Sequence, residues 1–189
     1  SSIAEQFFFS YTEQYMKSPY LATVVRWMIY AVAFMPLIIF SEYLSPFHFG
    51  KVIVFRSVVE LMLALYILLA WQYPVYRPHR NAIITSFVLF GLAFTLATFT
   101  SVNWYPSFWG TLERMGGLWS FWHYIIFLVI ITSVLRTREE WYHFLYLSIF
   151  TSLLSSLYGF GQKTNISFFI GSGGRERIFG TIGNPALFA

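Results

Sequence analysis

Five stretches of this chain are each long and apolar enough to cross a bilayer as a helix, which takes about 20 predominantly apolar residues. They are residues 21–41 (LATVVRWMIYAVAFMPLIIFS), 52–71 (VIVFRSVVELMLALYILLAW), 82–100 (AIITSFVLFGLAFTLATFT), 118–135 (LWSFWHYIIFLVIITSVL) and 141–158 (WYHFLYLSIFTSLLSSLY). A sixth begins at GNPALFA, 183–189. The predicted fold is all-α: a polytopic transmembrane bundle with five complete spans and the start of another. Only 11% of residues are charged, against about 25% in a soluble domain. Residues 1–19 mix Phe and Tyr with Glu and Lys and read as an interfacial arm. Residues 20–189 read as one membrane domain.

The same composition excludes several classes of chemistry. The basic residues stand singly in short loops, with no stripe that would track nucleic acid. Cysteine is absent, so neither disulfides nor thiolate metal sites exist. Asp is absent too, and no two of the four His stand four residues apart. No metal site and no cofactor are expected.

Lys and Arg in short loops set orientation. Arg77, Arg80, Arg136 and Arg138 share one side with the N-terminal arm, and Lys51, Arg114, Lys163, Arg175 and Arg177 share the other. Arg175 and Arg177 belong to a long Gly-rich loop of functional character. Discounting them places the N-terminus in the cytoplasm and the loops 101–117 and 159–183 outside.

Two outer loops carry candidate chemistry. GSGGRERIFGTIGNP (171–185) sets Arg175 and Arg177 among glycines just ahead of a helix start. Glycine lets a ligand approach the backbone, a helix N-terminus favours anions, and a guanidinium matches phosphate oxygens bidentately. The plain alternative is a loop whose arginines anchor to headgroups. SFWGTLERMGG (107–117) offers Arg114, with Glu113 as its partner or as an acid–base group. Adjacent residues do not face each other on a helix, which favours separate partners.

Arg56 and Glu60 stand at i, i+4 inside the second span. Intramembrane ionisable groups mark functional sites by default, but these two are expected to neutralise each other. The alternative is a place at the floor of a substrate cavity. His123 is expected to make an interhelical hydrogen bond, and Ser148, Ser152, Ser155 and Ser156 to form a small packing face. GFGQKT (159–164) is not a phosphate-binding loop, because Gln162 interrupts the Gly-Lys-Thr order.

From about residue 24 onward the chain resembles the N-terminal half of the bacterial O-antigen ligase / O-antigen polymerase superfamily. The resemblance rests on SPFHFGKVIVFRSVVELMLALYILL, YPVYRPHRN, SFWGTLERMGGLWSFWHY and RIFGTIGNPALFA, in order and spacing. It implies a multi-span bacterial inner-membrane glycosyltransferase of lipopolysaccharide biosynthesis. Such an enzyme moves a glycan from an undecaprenyl-diphosphate carrier to a lipid A core, polymer or protein acceptor at the periplasmic face, without metal. By motif match Arg177 takes the diphosphate, with Arg114 on the family's Glu-Arg position. Glu113, Arg175, Arg56 and Glu60 are supporting candidates. The family's usual base, a His in a large periplasmic loop, falls beyond Ala189, so no catalytic residue is assigned and this stretch alone is expected to be inactive. GNPA also stands where members often carry a second Asn. The rival readings are a transporter or flippase for lipid-linked glycans, a non-catalytic scaffold subunit, and a multi-span peptidoglycan polymerase. A transporter would place polar groups near the midplane.

Overall fold

The computed structural model describes residues 19–40, 46–79, 81–112, 114–164, 169 and 178–184. Every regular element among them is helical. In chain order these are α1 (Tyr20–Val32), α2 (Phe49–Gln72), α3 (Ala82–Phe99), α4 (Trp104–Trp109), α5 (Leu118–Val134) and α6 (Arg138–Gly161), with single 3-10 turns at Met35–Leu37 and Pro74–Tyr76. Three helices, α2, α3 and α6, are long and apolar enough to cross a membrane, while α1 and α5 are apolar but shorter, at 13 and 17 residues. Of the expected arm at 1–19 only Pro19 is described, and of the expected sixth span at 183–189 only Gly183 and Asn184.

The first expected span, 21–41, is helical only to Val32. Pro36 is the cause. Its ring would collide with the carbonyl four residues back, which is that of Val32, and it has no N–H to give. The chain continues as the 3-10 turn and then extended through Ile38.

Helix α5 is the hub, packing against α1, α2, α3 and α4, while α6 lies on α1 and on the 35–37 turn. The core sits where α1, α2 and α5 meet and contains Val25, Ile29, Val59, Met62, Leu69, Ile130 and Val134. Gly91 lets α3 close on α5: a Cβ there would lie 2.7 Å from Ile125 Cδ1. The Trp122 indole donates to Thr95 Oγ1 at 3.0 Å across the same contact.

The start of α6 is fixed by polar groups. Thr137 Oγ1 accepts from Glu140 N at 3.2 Å, and Glu140 Oε2 accepts from Thr137 N at 3.0 Å, a reciprocal capping box. Glu140 Oε1 also pairs with Arg26 of α1 at 2.8 Å. Thr137→Ala is expected to lower stability by about 1 kcal/mol, read as a fall in the thermal midpoint of the detergent-solubilised protein. No change would mean that the cap is redundant with the Arg26 pair.

Candidate functional site

The loop 107–117 is built by backbone proximity. Gly110 adopts φ +82° and Met115 φ +47°. These two left-handed residues fold the loop back so that Gly110 and Gly117 touch backbone to backbone. A Cβ on Gly110 would collide with Gly116 N, and a Cβ on Gly117 with Gly110 N and Phe108 O, whereas Gly116 faces open space. Phe108 stacks on Trp119, centroids 5.9 Å apart, and holds the loop to the first turn of α5.

This fold-back aims the Met115 carbonyl inward, at the second span. Arg56, only 7% exposed, donates from Nη2 to that carbonyl at 2.8 Å. Nη2 and Nε also donate to Ser120 Oγ at 2.6 and 3.2 Å. Ser120 in turn donates to the Met115 carbonyl. The strained φ of Met115 therefore has a use: it turns an acceptor towards a guanidinium that would otherwise be stranded.

Arg56 and Glu60, expected to neutralise each other, interact electrostatically but make no direct ion-pair contact among the described residues. Glu60 Oε1 bonds His123 Nε2 at 3.0 Å, the interhelical bond expected of that histidine. Arg56 points to the α5 side of α2 and finds tertiary acceptors there.

The His123 ring is held at both nitrogens. Nδ1 faces the Trp119 carbonyl at 2.7 Å. A carbonyl only accepts, so Nδ1 carries a hydrogen. Nε2 faces the Glu60 carboxyl oxygen. The direct partners of Arg56, the Met115 carbonyl and Ser120, are neutral, Glu60 acts on it only through space, and its Nη1 makes no hydrogen bond among the described residues.

Three more basic groups gather at the end of α2 where Arg56 lies. Lys51 Nζ donates to the Pro36 carbonyl at 2.8 Å and to the Thr181 carbonyl. His48 precedes α2; its imidazole is held below its ordinary pKa by burial, then by the charges of Lys51 and Arg114. Arg114 is exposed beside Met115. Next to this group lies a cleft of about 380 Å³ lined by Pro36, Phe47, His48, Lys51, Phe55, Tyr124 and Ile182. Apart from His48 and Lys51 its walls are apolar or aromatic.

The segment 178–184 closes this end. Gln162 Oε1 accepts from Gly180 N at 2.9 Å and Phe179 N at 3.2 Å, and Ser155 Oγ bonds Thr181 Oγ1 at 2.6 Å. GFGQKT is thus a clamp, a role with no sequence signal. Of the serine face expected on this helix, only Ser155 packs in this way; Ser148, Ser152 and Ser156 bond carbonyls of their own helix.

Of the sequence-derived candidates, Arg56, Glu60 and Arg114 have described positions, whereas Glu113, Arg175 and Arg177 lie outside the described residues. His48, Lys51 and Ser120 were not anticipated. Among the described residues no group of three or more His, Asp or Glu gathers as a metal site would need. Comparisons with family models, with curated proteins and with solved structures find no match for this chain.

Proposed function

We propose that the chain is part of a membrane glycosyltransferase of the O-antigen ligase type, which transfers a glycan from an undecaprenyl-diphosphate carrier to a lipid A core, polymer or protein acceptor. In this reading it lies in a bacterial inner membrane with its N-terminus cytoplasmic, and the end carrying His48, Lys51, Arg56 and Arg114 is periplasmic. The observation that carries the proposal is an apolar cleft lined by His48 and Lys51, with Arg114 near His48 and Arg56 bonded to the carbonyl of Met115, next to Arg114. A lipid-linked diphosphate needs both: fixed positive charge for the headgroup and apolar walls for the first isoprene units. Arg56 supports the site from behind the cleft, where it is buried and holds the Met115 carbonyl of the loop that carries Arg114. Arg114 and, by motif match, Arg177 add forks that match phosphate oxygens.

The test uses the full-length protein in vesicles, with undecaprenyl diphosphate and undecaprenol as paired ligands. Arg56→Ala is expected to weaken diphosphate binding about tenfold to hundredfold, as for a lost charge-assisted hydrogen bond, and to leave undecaprenol binding unchanged. Arg56→Lys should recover only part, since the fork is lost. Glycan transfer should fall in step. Binding and transfer near wild type in Arg56→Ala, Arg114→Ala and Arg177→Ala would sink the reading.

One observation favours a second reading. Glu60, at the middle of α2, pairs with His123, five residues into α5; transporters hold polar groups at the depth of Glu60. A transporter or flippase for lipid-linked glycans would move the donor across vesicles without forming a new glycosidic bond. Translocation in the absence of any acceptor product would favour it over transfer.

A further inference from the structure

Helix α4 carries an exposed aromatic surface, made by Trp104, Tyr105 and Trp109. Three of the chain's seven tryptophans lie between residues 104 and 119, so the surface is a concentration of one ring type at one place. Its contacts run on to the ends of two apolar helices. Phe108 lies against Phe99, the last residue of α3, and against Trp119, in the first turn of α5, which also meets Trp109. Phe99 and Trp119 are themselves exposed, and one aromatic surface therefore crosses from the end of α3 to the start of α5.

The position of α4 is fixed from both sides. Ser101 Oγ, two residues past the end of α3, bonds Ser107 Oγ in α4 at 3.2 Å. Gly110, which follows α4 at φ +82°, touches Gly117, the residue before α5, backbone to backbone. In a bilayer crossed by both helices, α3 ends and α5 begins at the same boundary, so α4 lies along that boundary. Its six residues span about 9 Å at 1.5 Å each, too short to form a strip for a spanning helix.

The chemistry of the exposed rings selects what meets them. The outward side chains of α3, such as Ile83, Leu92 and Leu96, are wholly apolar and suit acyl chains. On α4 every exposed aromatic is a Trp or Tyr, an apolar body with one polar atom. Trp104 Nε1, Tyr105 Oη and Trp109 Nε1 make no hydrogen bond among the described residues. Such a ring is best placed with its body against acyl chains and its N–H or O–H among headgroup oxygens and water, and only the bilayer interface offers both.

We propose that α4 is an interfacial anchor whose Trp104, Tyr105 and Trp109 rest in the phospholipid headgroup layer. Since Gly110 leads straight from α4 into the loop that holds Arg56 through the Met115 carbonyl, the anchor fixes the height of that loop against the lipids. The proposal rests on the chain spanning a membrane and not on the diphosphate reading.

The test places the full-length protein in phosphatidylcholine nanodiscs with a nitroxide on a single introduced cysteine, Tyr105→Cys or, as the depth reference, Leu92→Cys. Collision with oxygen, which concentrates in hydrocarbon, and with a neutral nickel chelate, which stays in water, gives the depth of each label. The label at 105 is expected no more than about 7 Å outside the hydrocarbon edge, the thickness of one headgroup layer. The label at 92, seven residues before the end of α3, is expected about 10 Å inside that edge. A label at 105 shielded from both reagents would mean that protein covers α4, and one as open to the chelate as a nitroxide in solution would mean that α4 stands in water. Either result overturns the proposal, as does a depth equal to that of position 92. Because a label can disturb so short a helix, a second measurement puts photoreactive benzoyl-phenylalanine in place of Trp109 in the native membrane. Lipid adducts are expected, and peptide adducts, to this chain or to another protein, would overturn the proposal.

Discussion

Gly110→Ala and Gly117→Ala are each expected to destabilise the protein by about 3 kcal/mol or more, whereas Gly116→Ala should stay within about 0.5 kcal/mol. The three glycines lie in one loop and look alike in sequence. At Gly110 a side chain meets two penalties, a left-handed φ of +82° and the backbone of Gly116 and Gly117. At Gly117 the obstacles are the backbone atoms of Gly110 and Phe108. Backbone cannot swing aside as a long side chain can, so the loop must open. Opening it withdraws the Met115 carbonyl from Arg56 and leaves a buried guanidinium with Ser120 alone, which adds the cost of an unmet charged donor. At Gly116 a methyl group would meet nothing. Thermal unfolding in detergent, with helix content as the signal, separates the three. A stable Gly117→Ala would contradict the backbone contact on which this account of the loop rests. If Gly116→Ala keeps full stability but loses donor binding, that glycine serves ligand approach instead.

The apolar runs made most of the helices legible. Expected boundaries at 52–71, 82–100 and 118–135 lie within three residues of α2, α3 and α5, because apolar length alone delimits a membrane helix. Two misses were readable with closer attention. Pro36 announces the end of α1 at Val32, but a hydropathy run passes straight over a proline. Thr137 and Glu140 spell a capping box, which would have started α6 at Arg138 rather than near 141. The site was less legible, because its geometry is made between segments. Nothing local shows that Met115 turns its carbonyl towards α2, since a positive φ at methionine has no sequence mark. Nothing shows that Lys51 will be fixed by carbonyls of Pro36 and Thr181, the latter 130 positions away. The glycine-rich loop 107–117 shows the same dependence on contacts between segments. Two of its three glycines serve the chain's own close packing, and the charge it helps to hold in place is Arg56, in the neighbouring helix.

The pairing of Glu60 predicts which double mutant recovers stability. Glu60→Ala alone leaves His123 Nε2 without its partner in an apolar setting, and His123→Ala alone leaves a carboxyl group at mid-bilayer depth. Each single change is expected to cost about 3 kcal/mol, the scale for an ionisable group stranded in a span or for half of a broken buried pair. Removing both leaves nothing to satisfy, so the double variant should recover about 1–2 kcal/mol relative to the sum of the singles. Arg56 with Glu60 should behave otherwise. Their hydrogen-bond partners are separate, Met115 and Ser120 for one and His123 for the other, so, beyond the small through-space attraction between the two, the Arg56→Ala and Glu60→Ala losses should add. An i, i+4 ion pair on α2 would give the opposite pattern, with recovery in the Arg56/Glu60 double variant and none in the Glu60/His123 one. The two cycles, measured as unfolding free energies in the same detergent, therefore decide which residue neutralises Glu60. The same measurement bears on the proposed site, because an Arg56 bonded independently of Glu60 holds the Met115 carbonyl of the loop that carries Arg114.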